Sequence, residues 1–510
     1  MTEDIKGLMP VIWPIVAALG ILVTCDTRKH GPKPLPPLLA VMGMVMSLAS
    51  IWVLWPQDIS QGLFKGAVRL DNFGLYLATL ICFCTIGTIM ASVDYLKRRE
   101  KNLSEFYALV LFSSSGMMLM GLSTNFITLL FGLEMMSIAF YVLVGFFRER
   151  APSVEASIKY YLTGSFATGL LIFGLAFIYG GTGSLDLSGI GIEQAGGASS
   201  PLLVLGLGFV IAGLGFKIAA APFHMWLPDV YEGAPTTVTG FMASGVKIAA
   251  FGMLIRLFCE VYQSESSALR DTLWWIALGT MAVGNVAALA QKSVKRMLAY
   301  SSIAHAGYLL VALVVMQGTP DETTGMIDFS GSSAIQGILY YLLAYAVANI
   351  GAFAVLSYLE KDAGGGLDYD DLAGLKSKQP FLALALSAFM LSLAGIPGTA
   401  GFIGKYNVFA AAVEGSQSTA DQSFMLLAVL GILNSLVGLY YYLRVPIQLY
   451  AKELPEDKKH WVMPARSLAF RLVIGGSVLG TLWLGFGPDV MNFGVEPAMQ
   501  MVQSALASLR

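Results

Sequence analysis

Four ionisable side chains stand in the middle of long apolar stretches of the sequence. They are Glu134 in FITLLFGLEMMSIAFYVL, Lys217 in GFKIAAAPFHMWLP, Lys247 in TGFMASGVKIAAFGML and Lys405 in LAGIPGTAGFIGKYN. Inside a bilayer each such charge costs at least about 2.5–3.5 kcal/mol. Charges at this depth are typical of sites that carry ions or protons across a membrane.

Lysine is suited to proton transfer in such a place. Burial favours the neutral amine and a nearby carboxylate favours the ammonium, so a lysine beside Glu134 can change its protonation near neutral pH. A row of lysines can then pass a proton onward through water. Hard cations such as sodium prefer carboxylate and carbonyl oxygens, so protons are the predicted cargo. The alternative is a static Glu134–Lys217 salt bridge, which leaves Lys247 and Lys405 without an acid.

Two histidines and one arginine each have a structural interpretation beside a functional one. His305, in YSSIAHAGYLL, either links two halves of a proton relay or is a buried hydrogen-bonding residue. His224 is either an entry site for protons or a helix-end cap. Arg256 is predicted to pair with Glu260, which lies one helical turn later.

The composition indicates that lipid surrounds most of the chain. Of 510 residues, 56% are hydrophobic and 13% are charged, which is too little charge to cover a soluble protein of this size. The net charge of −2 gives no sign of nucleic acid binding. The four cysteines lack zinc or iron–sulfur spacing and no glycine-rich nucleotide motif is present, so neither a metal site nor a cofactor is predicted in this chain. The acidic N-terminus is interpreted as leading into a retained first helix.

The predicted fold is an all-α integral membrane domain of about fourteen transmembrane helices over residues 1–510. A spanning helix needs roughly 20 apolar residues. Segments of this kind fall at 8–24, 36–55, 72–94, 104–121, 125–147, 156–180, 201–223, 236–260, 272–290, 298–317, 334–358, 380–414, 424–446 and 467–487.

Two of these segments, the seventh and the twelfth, are predicted to be broken. Pro222 follows Lys217 by five residues, and several glycines with Pro397 precede Lys405; proline removes a helical hydrogen bond. The breaks are five segments apart, which predicts two inverted five-helix repeats made of spans 4–8 and 9–13. The chain then divides into three N-terminal helices (1–103), a first repeat (104–262), a second repeat (272–446) and a C-terminal helix (467–510).

The distribution of basic residues predicts the orientation. Twenty of the 31 Lys and Arg residues fall in or beside the loops after odd-numbered segments, and five fall on the opposite side. The positive-inside rule therefore places both termini in the periplasm of a bacterial cell membrane and the 97–101 loop in the cytoplasm. Arg444 and Arg471 lie near cytoplasmic ends and are predicted to reach the membrane surface.

Three long motifs resemble the antiporter-like subunits in the proton-conducting membrane module of complex I. They are FKIAAAPFHMWLPDVYEGAPTTVTGF, SVKRMLAYSSIAHAGYLLVAL and LSLAGIPGTAGFIGKYNVF. Members of that family share a Glu on helix 5, a Lys on broken helix 7, a basic residue on helix 8 and a charged residue on broken helix 12. Glu134, Lys217, Lys247 and Lys405 match these positions, and the resemblance is to the branch of the family with Lys on both helix 8 and helix 12.

The resemblance implies a subunit of a proton-translocating NADH:quinone oxidoreductase. It implies other membrane subunits of complex I as partners, and it places NADH, FMN, iron–sulfur clusters and quinone on partner subunits. A subunit of a multisubunit Na⁺/H⁺ antiporter, which shares the fold, is the alternative. A structural membrane scaffold without transport is a third possibility, and it predicts that the deep charges can be replaced without loss of pumping.

Overall fold

The structure, a computed structural model, describes residues 2–25, 34–55, 61–99, 103–190, 200–261, 267–320, 327–329, 331–360, 367–453, 467–486 and 495–508. The helices in chain order are α1 (Thr2–Gly7), α2 (Met9–Thr24), α3 (Leu35–Leu54), α4 (Asn72–Arg98), α5 (Ser104–Leu122), α6 (Phe126–Val144), α7 (Ala151–Thr182), α8 (Pro201–Ile218), α9 (Leu227–Gly233), α10 (Thr236–Val261), α11 (Ser267–Leu289), α12 (Val294–Val314), α13 (Ser333–Leu359), α14 (Pro380–Ala394), α15 (Ala400–Thr419), α16 (Gln422–Ala451), α17 (Leu468–Trp483) and α18 (Val495–Ala507).

Within the described residues, strands are confined to two short antiparallel pairs. β1 (Gln61–Leu63) pairs with β2 (Val68–Leu70), so that Gln61 lies opposite Leu70. β3 (Thr319–Pro320) pairs with β4 (Ile327–Asp328). The fold is therefore all-α, as predicted, with the hairpins serving as connections between helices.

Eleven of the described helices are long and apolar enough to cross a membrane, and α2, α14 and α17 are shorter apolar helices. Large apolar side chains such as Val23, Trp52 and Leu468 are mostly exposed on the outside of the bundle. In a membrane protein such residues face lipid, where they cost nothing to expose. The chain is a multi-pass membrane protein. Many of the loop cations used to predict its orientation, including Arg28, Lys101 and Lys458, lie outside the described residues.

Polar side chains cap the N-terminal ends of several helices by accepting hydrogen bonds from the first free backbone N–H groups. The Asp71 carboxylate accepts from Gly74 N at 2.8 Å at the start of α4, and Asn125 accepts from Ile127 N at 2.7 Å at the start of α6. These caps set the entry points of helices that contribute to the polar interior described below.

Both predicted helix breaks are confirmed. α8 ends at Ile218 because Ala219 adopts a left-handed conformation with φ 58°, and a turn containing Pro222 separates it from α9. α14 ends at Ala394, and Gly395 and Gly398 both have positive φ before α15 begins at Ala400. Gly395 is required for a second reason, since a Cβ atom there would lie 2.9 Å from Lys405 Cδ.

The helix α10 forms the centre of the molecule. The 18-residue window that represents it is buried along its whole length. Residues Met242–Val246 within it form a π-helical turn directly before Lys247. Turns of this kind are rare and are found mostly at functional sites.

Candidate functional site

Lys217 occupies the last turn of α8, at the break. Its side chain is buried, and Nζ donates to Ser137 Oγ at 2.9 Å. The rings of Tyr141 and Tyr160 lie 6.0 and 5.7 Å from Nζ and offer their electron-rich faces. The ammonium also lies at the C-terminal end of a helix, where the helix dipole favours positive charge.

Glu134 lies one helical turn before Ser137 on α6. Its carboxylate accepts a hydrogen bond from Thr168 Oγ1 at 2.7 Å, and the residue is partly exposed on the outside of the chain. Among the described ion pairs, which extend to 4.0 Å, none joins Glu134 to Lys217. The static salt bridge considered as an alternative is therefore not formed, and Lys217 contacts the Ser137 hydroxyl instead.

Lys247 follows the π-helical turn of α10. It is 2% exposed, and its Nζ donates to the backbone carbonyl oxygen of Ser302 on α12. The Tyr345 ring lies 5.3 Å from Nζ, and the Tyr345 hydroxyl donates to Ser302 Oγ at 3.1 Å. Lys247 is thus held by neutral groups of α12 and α13.

His305 lies three residues after Ser302 on α12 and is enclosed by tyrosines. Its Nδ1 is hydrogen-bonded to the Tyr341 hydroxyl, and its Nε2 to the Tyr442 hydroxyl at 2.8 Å. The ring of Tyr345, which also faces Lys247, lies 4.8 Å from the imidazole, centroid to centroid. The Tyr345 ring is therefore close to both His305 and Lys247.

Lys405 lies on α15, just after the second break. Its Nζ donates to the Ala394 carbonyl oxygen at the end of α14 and to Ser435 Oγ on α16, both at 2.9 Å. The ammonium groups of Lys217 and Lys405 thus both lie at the C-terminal end of a helix that stops at a break, although Lys405 itself belongs to the following helix. The Tyr308 ring lies 5.1 Å from Lys405 Nζ, and the same ring lies 5.7 Å from the His305 imidazole, centroid to centroid.

These contacts bring Lys247, His305 and Lys405 into one buried row. Within the described residues, no ion pair is formed by any of the three lysines. Neutral hydroxyl, carbonyl and aromatic groups surround each ammonium, so each can lose its proton without leaving an unpaired carboxylate. A very small cavity of about 10 Å³, lined by His305, Tyr341, Tyr345 and Ser392 among others, adjoins the row.

The hydroxyl residues of this row were not predicted from the sequence. Tyr341 and Tyr345 lie four residues apart on α13, a spacing that puts two side chains on one helix face, and this signal was available. Tyr442 lies 137 residues from its partner His305. No local pattern links residues so far apart.

A second buried charge cluster, also absent from the sequence analysis, lies at the end of α13. Glu360 is 2% exposed and accepts hydrogen bonds from Tyr95 at 2.9 Å and Thr236 at 2.6 Å. Burial alone would raise the pKa of Glu360, but Lys295, Arg99 and Arg150 outweigh it and hold that pKa below its usual range. Lys295 is one of the twenty basic residues that the sequence assigns to cytoplasmic loops. It is buried at the start of α12, where Nζ donates to the Ala234 carbonyl oxygen at 2.9 Å.

The predicted Arg256–Glu260 pair is wrong. The Arg256 guanidinium forms a buried two-point pair with Asp71, at 2.8 and 2.9 Å, while Glu260 pairs with Arg69 near the surface. The planar guanidinium donates two parallel hydrogen bonds, and the Asp71 carboxylate accepts both of them. Asp71 thus both caps α4 and neutralises the charge of Arg256 on α10.

Asp71→Asn is expected to destabilise the protein by about 3–5 kcal/mol, because it keeps the helix cap but leaves Arg256 buried without its counter-charge. The measurement is thermal unfolding of the detergent-solubilised chain. The matched control is Arg69→Gln, which removes a partly exposed pair and should cost at most about 1 kcal/mol. Equal losses of stability in the two variants would contradict the role given to Asp71.

The remaining candidates lie away from the row. Arg444 donates to the Gln291 carbonyl oxygen at 3.2 Å, and Arg471 is exposed on α17. The carbonyl oxygen of His224 accepts from Leu227 N at 3.0 Å, and the neighbouring Asp229 pairs with Lys159 and Arg296, both at 2.8 Å. His224 is therefore not connected to Asp229.

Comparison with known proteins decides the family. The family described as "NADH:quinone oxidoreductase/Mrp antiporter, TM" matches residues 123–432, which is more than half of the chain. The chain belongs to this family. The matched segment of this antiporter-like domain contains Glu134, Lys217, Lys247, His305 and Lys405.

Similar full-length members of the family are named as one subunit. The chain is 39% identical to "NADH-quinone oxidoreductase subunit N" of Trichlorobacter lovleyi, over 98% of both proteins. It is 40% identical to "NADH-quinone oxidoreductase subunit N 2" of Roseiflexus castenholzii, over 99% of this chain and 98% of that protein.

Solved structures show the same antiporter-like fold. A chain of respiratory complex I from Thermus thermophilus with bound aureothin is 33% identical, with a TM-score of 0.75 over 94% of this chain and 98% of that one. A chain of the Mrp complex from Dietzia sp. has a TM-score of 0.81 over 100% of this chain and 98% of that one, at 20% identity. The second likeness concerns the fold alone.

Proposed function

We propose that this chain is the subunit N-type, proton-translocating membrane subunit of an NADH:quinone oxidoreductase. The observation that carries the proposal is the buried row of Lys247, His305 and Lys405, which are joined by hydroxyl and aromatic groups. Relatives named subunit N, about 39% identical over nearly the whole chain, favour this assignment over the Na⁺/H⁺ antiporter subunit.

The five site residues take distinct parts in this proposal. Glu134, which lies one helical turn before Ser137, favours the ammonium form of Lys217 through its negative charge. Lys217, Lys247 and Lys405 alternate between ammonium and amine, and each passes its proton to the next through hydroxyl groups and water. His305 connects Lys247 to Lys405 because either ring nitrogen can bind or release a proton. Quinone reduction elsewhere in the complex drives the cycle, which makes the chain part of a translocase.

The function is tested by purifying the tagged chain from native membranes in mild detergent. We expect other membrane subunits of complex I to co-purify with NADH:quinone reductase activity, and reconstituted vesicles to become acidified when NADH is added in sodium-free buffer. Co-purification with antiporter subunits that lack NADH oxidation would assign the chain to the Na⁺/H⁺ antiporter instead.

The redox groups are assigned to partner subunits, because none of the site residues forms a ligand set for them. The separated chain is therefore expected to show no flavin or iron–sulfur absorption, while the intact complex shows both. A flavin or cluster spectrum that stays with the separated chain would contradict this assignment.

We further propose fourteen spans, with α2, α14 and α17 completing the eleven long helices. Spans 4–8 and 9–13 then form the two inverted repeats, within residues 104–262 and 272–446. The equivalent settings of Lys217 and Lys405, each at the end of an interrupted helix, support that symmetry. An even number of spans places both termini on the same side of the membrane, and the distribution of basic residues assigns that side to the periplasm.

Labelling of single cysteines tests this orientation in a variant without the four native cysteines. Lys65→Cys, in the exposed turn between β1 and β2, should react with a membrane-impermeant maleimide in cells with a permeabilised outer membrane. Lys97→Cys, exposed at the end of α4, should react only after the inner membrane is opened. Reaction of Lys97→Cys in intact inner membranes would reverse the topology.

A further inference from the structure

An apolar groove runs along the outer surface of the bundle, on the side away from the lysine row. It has a volume of about 350 Å³ and lies between α4, α13 and α17. Met90, Ile350 and Leu472 lie at one end of the groove, and Leu80, Leu343 and Gly480 lie at the other. Phe83 and Leu472 on its rim are 60% and 57% exposed, so the groove opens sideways toward the membrane.

The groove has the length of one membrane leaflet. From Leu80 to Met90 the helix rises by about 15 Å, at roughly 1.5 Å per residue. The hydrocarbon core of a bilayer is about 30 Å thick. A groove of half that length, open to lipid, fits a single acyl chain that lies parallel to the helices.

Three helix ends converge above the groove, on the side of Met90 and Leu472. Ser467 N, at the start of α17, donates to Asp94 Oδ2 of α4 at 2.9 Å. The rings of Tyr358 on α13 and Phe470 on α17 are 4.9 Å apart. These contacts bring the last turn of α4 and the first turn of α17 together at one membrane surface.

The converging ends carry a surplus of positive charge. Lys97 and Arg471 are exposed there, while Arg98 donates to the carbonyl oxygens of Tyr358 and Ser357, at 3.0 and 2.7 Å. Among the described residues the opposing acids are Asp94, which accepts the Ser467 N–H, and the buried Glu360, which Lys295, Arg99 and Arg150 already surround. Lys97 lies about 10 Å beyond Met90 along α4, which is the level of the lipid headgroups. Arg471 directly precedes Leu472, which lines the groove.

We propose that this groove binds one anionic phospholipid of the leaflet on the Lys97 side. One acyl chain lies between α4, α13 and α17, and the phosphate lies between Lys97 and Arg471. The cytoplasmic leaflet, to which the proposed topology assigns this side, is the anionic one. The binding site does not depend on proton transfer.

The test uses the intact complex in nanodiscs that contain phosphatidylglycerol with a photoreactive diazirine on one acyl chain. We expect the labelled peptides to include residues 80–90 and 472–480. Gly476→Leu should abolish most of this labelling, because a Cβ atom at Gly476 meets no atom within 4 Å and the new side chain fills the groove without a clash. Gly475→Leu is the matched control, since Gly475 also has open space but does not line the groove.

The headgroup is tested with a phosphatidylcholine probe that carries the same diazirine. The preference for phosphatidylglycerol should fall roughly fivefold for each cation lost in Lys97→Gln and Arg471→Gln, the factor expected for about 1 kcal/mol per cation. Equal labelling of the Gly476→Leu and Gly475→Leu variants would overturn the proposal. So would protection of the groove by a cross-linked partner subunit, competition by a long-tailed quinone, or equal use of the two lipids.

Discussion

Lys217→Ala is expected to stop proton translocation and to slow NADH oxidation with it, because a coupled machine cannot turn over freely when one of its proton carriers is missing. The expected fall in pumping is on the order of 10²-fold, as for the loss of a positioned acid–base group. The measurement is NADH-driven acidification of vesicles that contain the reconstituted complex, with assembly of the complex checked separately.

Glu134 variants should follow the charge of the side chain and not its size. Glu134→Gln keeps the volume but removes the charge that favours the Lys217 ammonium, so reloading of the proton should fail almost as severely as in Lys217→Ala. Glu134→Asp keeps the charge on a shorter side chain and should retain part of the activity. Thr168→Val is the matched control, because it removes the hydrogen bond to Glu134 Oε1 and leaves both charges in place.

The double variant Glu134→Gln, Lys217→Gln separates a relay from a fixed pair of charges. A fixed pair would be relieved by removing both charges, and activity would recover. In a relay the double variant stays inactive. If it assembles and pumps at the wild-type rate, the role given to this pair is wrong.

Lys405 variants distinguish a titrating group from a fixed positive charge. Lys405→Gln should abolish pumping, since the amide can still donate to Ala394 O and Ser435 Oγ but cannot release a proton. Lys405→Arg should fail as well, because the guanidinium keeps its proton at every physiological pH. Losses on the order of 10²-fold are expected for both in the same vesicle assay.

Arg444→Gln is the control for Lys405. Arg444 contacts a backbone carbonyl oxygen and the Tyr369 ring near the end of α16, outside the row, so its loss should leave pumping close to wild type. Wild-type pumping by Lys405→Arg would show that charge alone is needed, and the relay would then bypass this position.

The breaks and the deep lysines could be predicted because their causes are local. A proline five residues after Lys217 and a cluster of glycines before Lys405 interrupt helices whatever surrounds them. The apolar stretches around Glu134 and Lys247 likewise fix their depth. For these residues, the neighbouring residues in the sequence are enough to predict the helix break or the position within an apolar segment.

The partners of the charges could not be predicted, because they are chosen by helix packing. Arg256 has an acid four residues away, yet it pairs with Asp71, 185 residues distant. Lys295 is close in sequence to Lys292 and Arg296, which suggests an exposed loop. Its burial depends instead on the packing of the end of α13, which places Glu360 near it. The contact between Lys217 and Ser137, one turn after Glu134, could not be predicted either, because it depends on the rotation of α6 about its axis.

The order of synthesis gives the Asp71–Arg256 pair a part in membrane insertion. The ribosome completes Asp71 long before Arg256, and α4 and α5, which shield α10, also precede it in the chain. α10 has no lipid-facing side and carries two cations, each costing about 2.5–3.5 kcal/mol when inserted alone. The early helices must therefore be in the bilayer, with Asp71 in position, before α10 can leave the translocon and remain stably inserted.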